Sequence, residues 1–312
     1  MTDKNLIALQ RRYIPSMDTS VTFLGFGALE IGRNWGMGED TQRPDADGAG
    51  RVLNAVLDAG INLIDTASAY HRSEERIGQY ASHRRAEYVL ASKCGEHSSE
   101  PSTYYDFSYK AVSESIDRSL ALLKTERIDL MQIHFGPDPV KVLDDGETVA
   151  AMKDAKAAGK IGALGASIDG ALATRCILSG DFDVMQLAYN LADRGNTDNI
   201  RLAKERGMGV LVRCGMGNGL FTPRVLACMD QLHEARRAQL KAALALLGGE
   251  NEAAVRTLMA INLRFLYEND GVSSVIVGTK RPEHIADNVA LLQTPVDDAL
   301  YAAVCRCFGA EV

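Results

Sequence analysis

Long apolar runs, basic blocks and paired cysteines are all missing from this chain, and each absence removes a class of function. No stretch approaches eighteen apolar residues, so no membrane-spanning helix is expected. Acidic residues outnumber basic ones to give a net charge of −7, with no basic–aromatic stripe. Nucleic acid and anionic membranes are therefore disfavoured as partners. The six cysteines, Cys94, Cys176, Cys214, Cys228, Cys305 and Cys307, are scattered. That is the usage of reduced thiols in a cytoplasmic protein, not of a disulfide framework. Cys305-Arg-Cys307 has the wrong spacing for a CxxC redox pair and no neighbouring histidine for zinc. The start, Met1 to Gln10, lacks the charged lead, the longer apolar core and the cleavage site of a signal peptide.

What is present is a rhythm. Apolar stretches at Phe23–Ala28, Ile61–Asp65, Tyr88–Ser92, Leu130–His134, Ile161–Ser167, Val184–Asn190, Gly209–Cys214 and Ser273–Gly278 read as eight strands. Helical patterns lie between them, among them Gly50–Ala59, Tyr109–Leu123, Glu147–Ala158, Thr197–Arg206 and Pro282–Leu292. Near-continuous apolar strands alternating with helices indicate a parallel sheet built by right-handed crossovers. Eight such units in 312 residues predict an α/β fold, a single (β/α)₈ TIM barrel spanning 1–312. The competing doubly wound sheet needs a Gly-rich turn after its first strand, and Gly25-Phe-Gly27 lacks the third glycine and the helix start. Gly215 to Ala254 interrupts the rhythm and reads as an extended loop with one extra helix, Val225–Leu247. The first twenty residues read as a short hairpin or arm, and the segment from Pro295 as a terminal helix ending near Phe308.

The strand ends carry the chemistry. Asp65 ends the second strand with Tyr70 just beyond it, Lys93 ends the third, His134 the fourth, Ser167 the fifth, and Gln186 lies in the sixth. In a closed barrel these ends meet at one mouth. A phenol is a weak acid, with a pKa near ~10. A neighbouring ammonium favours its ionised form, and a carboxylate keeps that ammonium charged and oriented. An imidazole can bond a carbonyl oxygen. Such a set can protonate the alkoxide formed when hydride reaches a carbonyl, with neither metal nor protein nucleophile.

The order and spacing carry a resemblance. Gly60-x-Asn62-x-x-Asp65-Thr66-Ala67-x-x-Tyr70-x-x-Ser73-Glu74 is followed by Ala91-Ser92-Lys93-Cys94-Gly95 and by Ile128-Asp129-Leu130-x-Gln132-Ile133-His134. Then come Ala158 through Ser167, Gln186-Leu187-Ala188-Tyr189-Asn190, Val275 through His284, and Asp287-Asn288. From about Leu24 to Leu292 the chain resembles the aldo-keto reductases. The resemblance implies NADP(H)-dependent interconversion of carbonyls and alcohols, with Tyr70 as general acid or base. It implies Asp65 and Lys93 as the pair that tunes Tyr70, and His134 as the residue that orients the carbonyl. It implies Ser167 and Gln186 at the nicotinamide carboxamide, Arg213 at the ring, and Cys214, Met216 and Asn218 in the loop over the pyrophosphate. Gly278, Thr279, Lys280, Arg281, His284, Asp287 and Asn288 match the adenosine-phosphate site. There a helix start beside cations suits a phosphate monoester and favours NADP(H), with NAD(H) as the alternative.

Three positions depart from the family pattern. Ile168 stands in place of a common asparagine, Gly215 in place of a frequent proline, and His284 in place of arginine or glutamine. A histidine is only partly charged near neutral pH, which weakens the preference for NADP(H). The substrate is expected to be a small molecule, an aldehyde, ketone or sugar, with Trp35 and Phe135 as candidate pocket residues. A non-catalytic nicotinamide-binding subunit on the same barrel is the alternative. A metal-dependent hydrolase fits less well, because only Asp65 and His134 offer ligands at strand ends.

Overall fold

The computed structural model describes residues 7–36 and 41–312. Most of the N-terminal stretch in which no signal peptide is expected lies outside the described residues. So do residues 37–40 of the loop that carries Trp35. All eight expected strands form, as Leu24–Gly27, Leu63–Asp65, Val89–Cys94, Ile128–His134, Ile161–Ser167, Val184–Ala188, Gly209–Arg213 and Ser274–Gly278. Each pairs in parallel with the next, and the eighth pairs with the first to close the barrel.

A strand's side chains alternate faces, so residues two apart share one. Leu63, Ala91, Leu130, Ala163, Val184 and Leu211 all point into the barrel and form one apolar layer. The residues between them, such as Ile64, Leu90, Met131, Leu164 and Met185, face outward and pack under the helices. Two residues beyond the inner layer, on the same inward face, stand Asp65, Lys93, Gln132 and Gln186. The alternation that builds an apolar floor therefore also delivers a polar layer to the mouth above it. An antiparallel hairpin, Arg11–Ile14 with Thr19–Thr22, closes the opposite end, where Ile14 and Val21 join the floor cluster.

The helices follow their own chemistry. Tyr109–Leu123 starts where the Ser108 hydroxyl accepts from Ala111 N, and it buries Val112, Ile116 and Leu123 at helical spacing. Ala46–Asp58 starts on Asp45, whose carboxylate accepts from Gly48 N at 2.7 Å. The terminal helix is Asp298–Cys307.

One expectation needs correction. Val225–Leu247 is not one helix. Val225–Cys228 and a 3₁₀ turn, Met229–Gln231, give way to Leu232 in extended conformation, and His233 caps a new helix, Glu234–Leu246. Among the described residues, some elements go beyond those named from the sequence. Glu252–Glu268 is a long helix before the last strand, burying Val255, Leu258, Ile261 and Leu266. Glu96–Ser99 and Ser102–Tyr105 form an antiparallel hairpin beside the mouth. Among the described residues no helix is long and apolar enough to cross a membrane.

Candidate active site

Strand register assembles the polar layer. Lys93 sits opposite Gln132, His134 opposite Ser167, and Ser167 opposite Gln186. Lys93 Nζ donates to Asp65 Oδ2 at 2.5 Å and to the Thr66 carbonyl at 2.9 Å. The other carboxylate oxygen of Asp65 accepts from Gln132 Nε2 at 3.0 Å and Gln186 Nε2 at 2.9 Å. Both charges are almost fully buried. A buried ion pair loses hydration, and the two amide donors on Asp65 Oδ1, with the Thr66 carbonyl on the ammonium, offset that loss. Burial pushes the Lys93 amine down, but Asp65 and Tyr70 hold it above its ordinary value, so it is an ammonium at neutral pH.

Tyr70 is delivered by a tightly tied loop. Thr66 Oγ1 donates to Ser73 Oγ at 2.8 Å, and that hydroxyl donates to the Ala28 carbonyl. Ser73 begins the helix Ser73–Tyr80, and its backbone N–H bonds the Tyr70 carbonyl at 3.0 Å. Gly32 lies beneath; a Cβ there would stand 2.2 Å from the Tyr70 carbonyl oxygen. The Lys93 ammonium is 5.1 Å from the Tyr70 ring centre. The His134 ring stands edge-on to Tyr70, with centroids 6.0 Å apart at 89°. Burial pushes the Tyr70 phenol above its ordinary value, while Lys93 pulls it down and Asp65 pushes it up. The lowering expected from the ammonium alone is thus outweighed. Tyr70 keeps part of its surface exposed.

Glu96, which sequence reasoning passed over, stands at the same mouth. Its Oε2 is 2.8 Å from His134 Nδ1, a contact that lies off the straight N–H···O line. Its Oε1 accepts from Thr103 Oγ1 at 2.7 Å, and its backbone carbonyl accepts from Ser68 Oγ at 2.6 Å. Burial raises its carboxyl, but hydrogen bonding from His134 and Thr103 outweighs this and holds it at about 2. Glu96 opens the hairpin that directly follows Lys93; an acid three residues past a site lysine is the signal that could have found it.

Beyond Asp65 the inward layer continues. Ser167 Oγ donates to Gln186 Oε1 at 3.3 Å. Gln186 spends its amide N–H on Asp65, while Gln132 Oε1 is buried with no donor among the described residues. Arg213, at the end of strand seven, is ion-paired with Asp169. Asp169 also accepts from Ala188 N and Asn196 Nδ2, which fixes it across strand ends five to seven. The next loop is shaped by left-handed backbone at Cys214, Gly217, Asn218 and Gly219. The buried Asn262 side chain donates to the Gly215 carbonyl, and Met216 packs against the core. A Cβ on Gly215 would meet Val275 at 2.5 Å, which accounts for glycine there. Ile168 is packed against the core.

Gly278 closes strand eight against Gly27. Thr279 Oγ1 accepts from Arg281 N at 3.1 Å and meets His284 Nδ1 at 3.2 Å, just before the helix Glu283–Leu291. Lys280 is buried and donates to the Gln42 carbonyl at 2.9 Å, tying this corner to the loop after strand one. On the helix, Asp287 pairs with Arg256 at 2.8 Å, and Asn288 is half-buried. Trp35 is exposed, and Phe135 stacks on Phe107 at 6.5 Å. The structure therefore brings Asp65, Tyr70, Lys93, His134, Ser167 and Gln186 together, with Gln132 and Glu96 added to them.

The comparisons agree with this architecture. A family model for the aldo/keto reductase family matches residues 23–307. An uncharacterized oxidoreductase of Bacillus subtilis is 26% identical, covering 90% of each chain. An NADH-specific methylglyoxal reductase of Escherichia coli is 26% identical over 92% of this chain and 95% of its own length. The holo form of an aldo-keto reductase from Bacillus halodurans superposes with a TM-score of 0.77 at 26% identity, covering 96% of both chains. With a closed eight-stranded barrel and a family match over nearly its whole length, the chain belongs to the aldo/keto reductase family.

Proposed function

We propose that the protein interconverts a carbonyl, an aldehyde or ketone, with its alcohol by hydride transfer, using NADP(H) and with Tyr70 as general acid or base. The observation that carries this reading is the packing of one phenol against both an ammonium at 5.1 Å and an imidazole at 6.0 Å. Lys93, charged and anchored on Asp65, stabilises the phenolate left when Tyr70 gives its proton. His134 bonds the substrate oxygen and fixes which face of the carbonyl is presented. In the alcohol-to-carbonyl direction the same phenol accepts the proton. The elevated phenol matters here, because an acid left protonated until charge develops on the substrate oxygen donates only when needed.

The residues fit a nicotinamide. A carboxamide offers two N–H donors and one acceptor oxygen. The Gln186 and Gln132 oxygens can receive N–H, and Ser167 Oγ can donate. The nicotinamide, when bound, supplies or takes up the hydride. Arg213 would flank its ring. The loop of Cys214, Met216 and Asn218 would lie over the pyrophosphate, and Gly278 to Asn288 at the adenosine end.

The preference for NADP(H) rests on Lys280 and Arg281 beside a helix start, and against it stand His284 and the NADH-specific relative. Titrating NADPH and NADH against wild type and against Lys280→Ala/Arg281→Ala tests it. The expected outcome is a loss of discrimination in the variant, and unchanged discrimination would contradict the placement. For the reaction itself, the test is turnover of reduced nicotinamide with a panel of aldehydes and ketones. Cofactor binding without turnover in either direction would favour a non-catalytic subunit.

A further inference from the structure

Glu96 takes no part in the chemistry above, yet it is buried against the imidazole on which that chemistry depends. We propose that Glu96 is a positioning residue that fixes the ring proton of His134 on Nδ1, leaving Nε2 to meet the substrate oxygen. The inference rests on the reading of His134 as the residue that binds that oxygen. At 2.8 Å from a carboxylate oxygen, Nδ1 must carry a hydrogen even though the contact is bent, because two facing lone pairs would repel. Thr103 holds the other carboxylate oxygen at 2.7 Å, and Ser68 holds the Glu96 backbone at 2.6 Å. The acid is thus braced from two sides and cannot swing away. The hydrogen bond at one ring nitrogen decides what the other can do.

With Nδ1–H fixed, a neutral ring presents a lone pair at Nε2. It can accept from an alcohol hydroxyl and cannot donate to a carbonyl oxygen. Only the doubly protonated ring donates to a carbonyl, with Glu96 as its counter-charge. Other groups around His134 are Tyr70 from the loop after strand two, and Lys93 with Asp65 from strands three and two. Tyr105 and Arg33 act on the Glu96 charge from the hairpin and the loop after strand one.

Glu96→Gln separates this from a merely structural role. Its amide oxygen would keep the Thr103 hydroxyl, so its NH₂ would face Nδ1 and demand a lone pair there. The ring proton would move to Nε2. Long-range ¹H–¹⁵N NMR on histidine-labelled protein, with the signal assigned through His134→Gln, reads the tautomer directly. The expected result is Nδ1–H in the neutral wild-type ring and Nε2–H in Glu96→Gln. Nε2–H in the wild type, or the same tautomer in both proteins, overturns the proposal. The wild-type spectrum decides alone if the variant does not fold. The tautomer needs no turnover, so a barrel that reduces no carbonyl would sink the proposed function without touching this result.

Discussion

Asp65 shows how little of a site is visible one residue at a time. In the sequence it is an acid at the end of an apolar run; in the barrel it holds Lys93, Gln132 and Gln186 at once. Removing the ammonium leaves a buried carboxylate with only amide donors. Lys93→Met should therefore cost about 3–5 kcal/mol in unfolding free energy. A loss below about 1 kcal/mol in chemical denaturation would mean the pair is far better solvated than its burial indicates. Glu96 makes a second residue-scale prediction. Its carboxyl is depressed in the folded state to about 2 from an ordinary 4.5. The contribution is therefore complete above pH 4.5 and fades as pH falls toward 2. It amounts to about 3 kcal/mol in full, and the stability gap between wild type and Glu96→Gln should narrow by about 2 kcal/mol between pH 6 and pH 3. A gap independent of pH would remove the depressed carboxyl. Asp65, Tyr70, Lys93 and His134 were legible because each ends or follows a strand. Glu96 was not, because its role depends on a hairpin folding back toward the next strand's histidine.

At the scale of elements, legibility followed hydrophobic pattern. Tyr109–Leu123 has a capping serine and a clean apolar stripe, and its bounds were readable to the residue. The Glu96–Tyr105 hairpin has mostly polar or half-exposed side chains, so no alternation announces it. The Val225–Leu246 region is apolar enough for one helix, but Leu232 in extended conformation breaks it, and no proline or glycine marks the break. The loop bearing Tyr70 depends on an element that is far away in sequence. Gly32, at the end of a short helix after strand one, leaves room for the Tyr70 carbonyl at 2.2 Å from where a Cβ would stand. Gly32→Ala must push that loop outward. The expected result is at least a tenfold drop in kcat/KM with the global fold retained by circular dichroism, since an ångström of displacement of a reacting group costs on the order of 10². Unchanged kinetics would show that the loop yields without moving the phenol.

For the whole molecule, one alternation of inward side chains makes both halves of the barrel interior. The lower layer is an apolar floor sealed by Ile14 and Val21, and the upper layer is the polar mouth. Ile14→Ala at the floor should destabilise by about 2–5 kcal/mol and leave kcat per folded molecule unchanged, because Ile14 lies in the hairpin at the end of the barrel opposite the mouth. An altered kcat would show that the two layers are coupled. The central claim is that Tyr70 moves the proton. The most direct measurement compares wild type with Tyr70→Phe. It follows oxidation of reduced nicotinamide with a carbonyl that the wild type accepts, beside cofactor binding by fluorescence titration. The account predicts a loss of turnover of about 10²–10⁴-fold in the variant, with cofactor affinity within a few-fold of wild type. Turnover that survives the loss of the hydroxyl would contradict it.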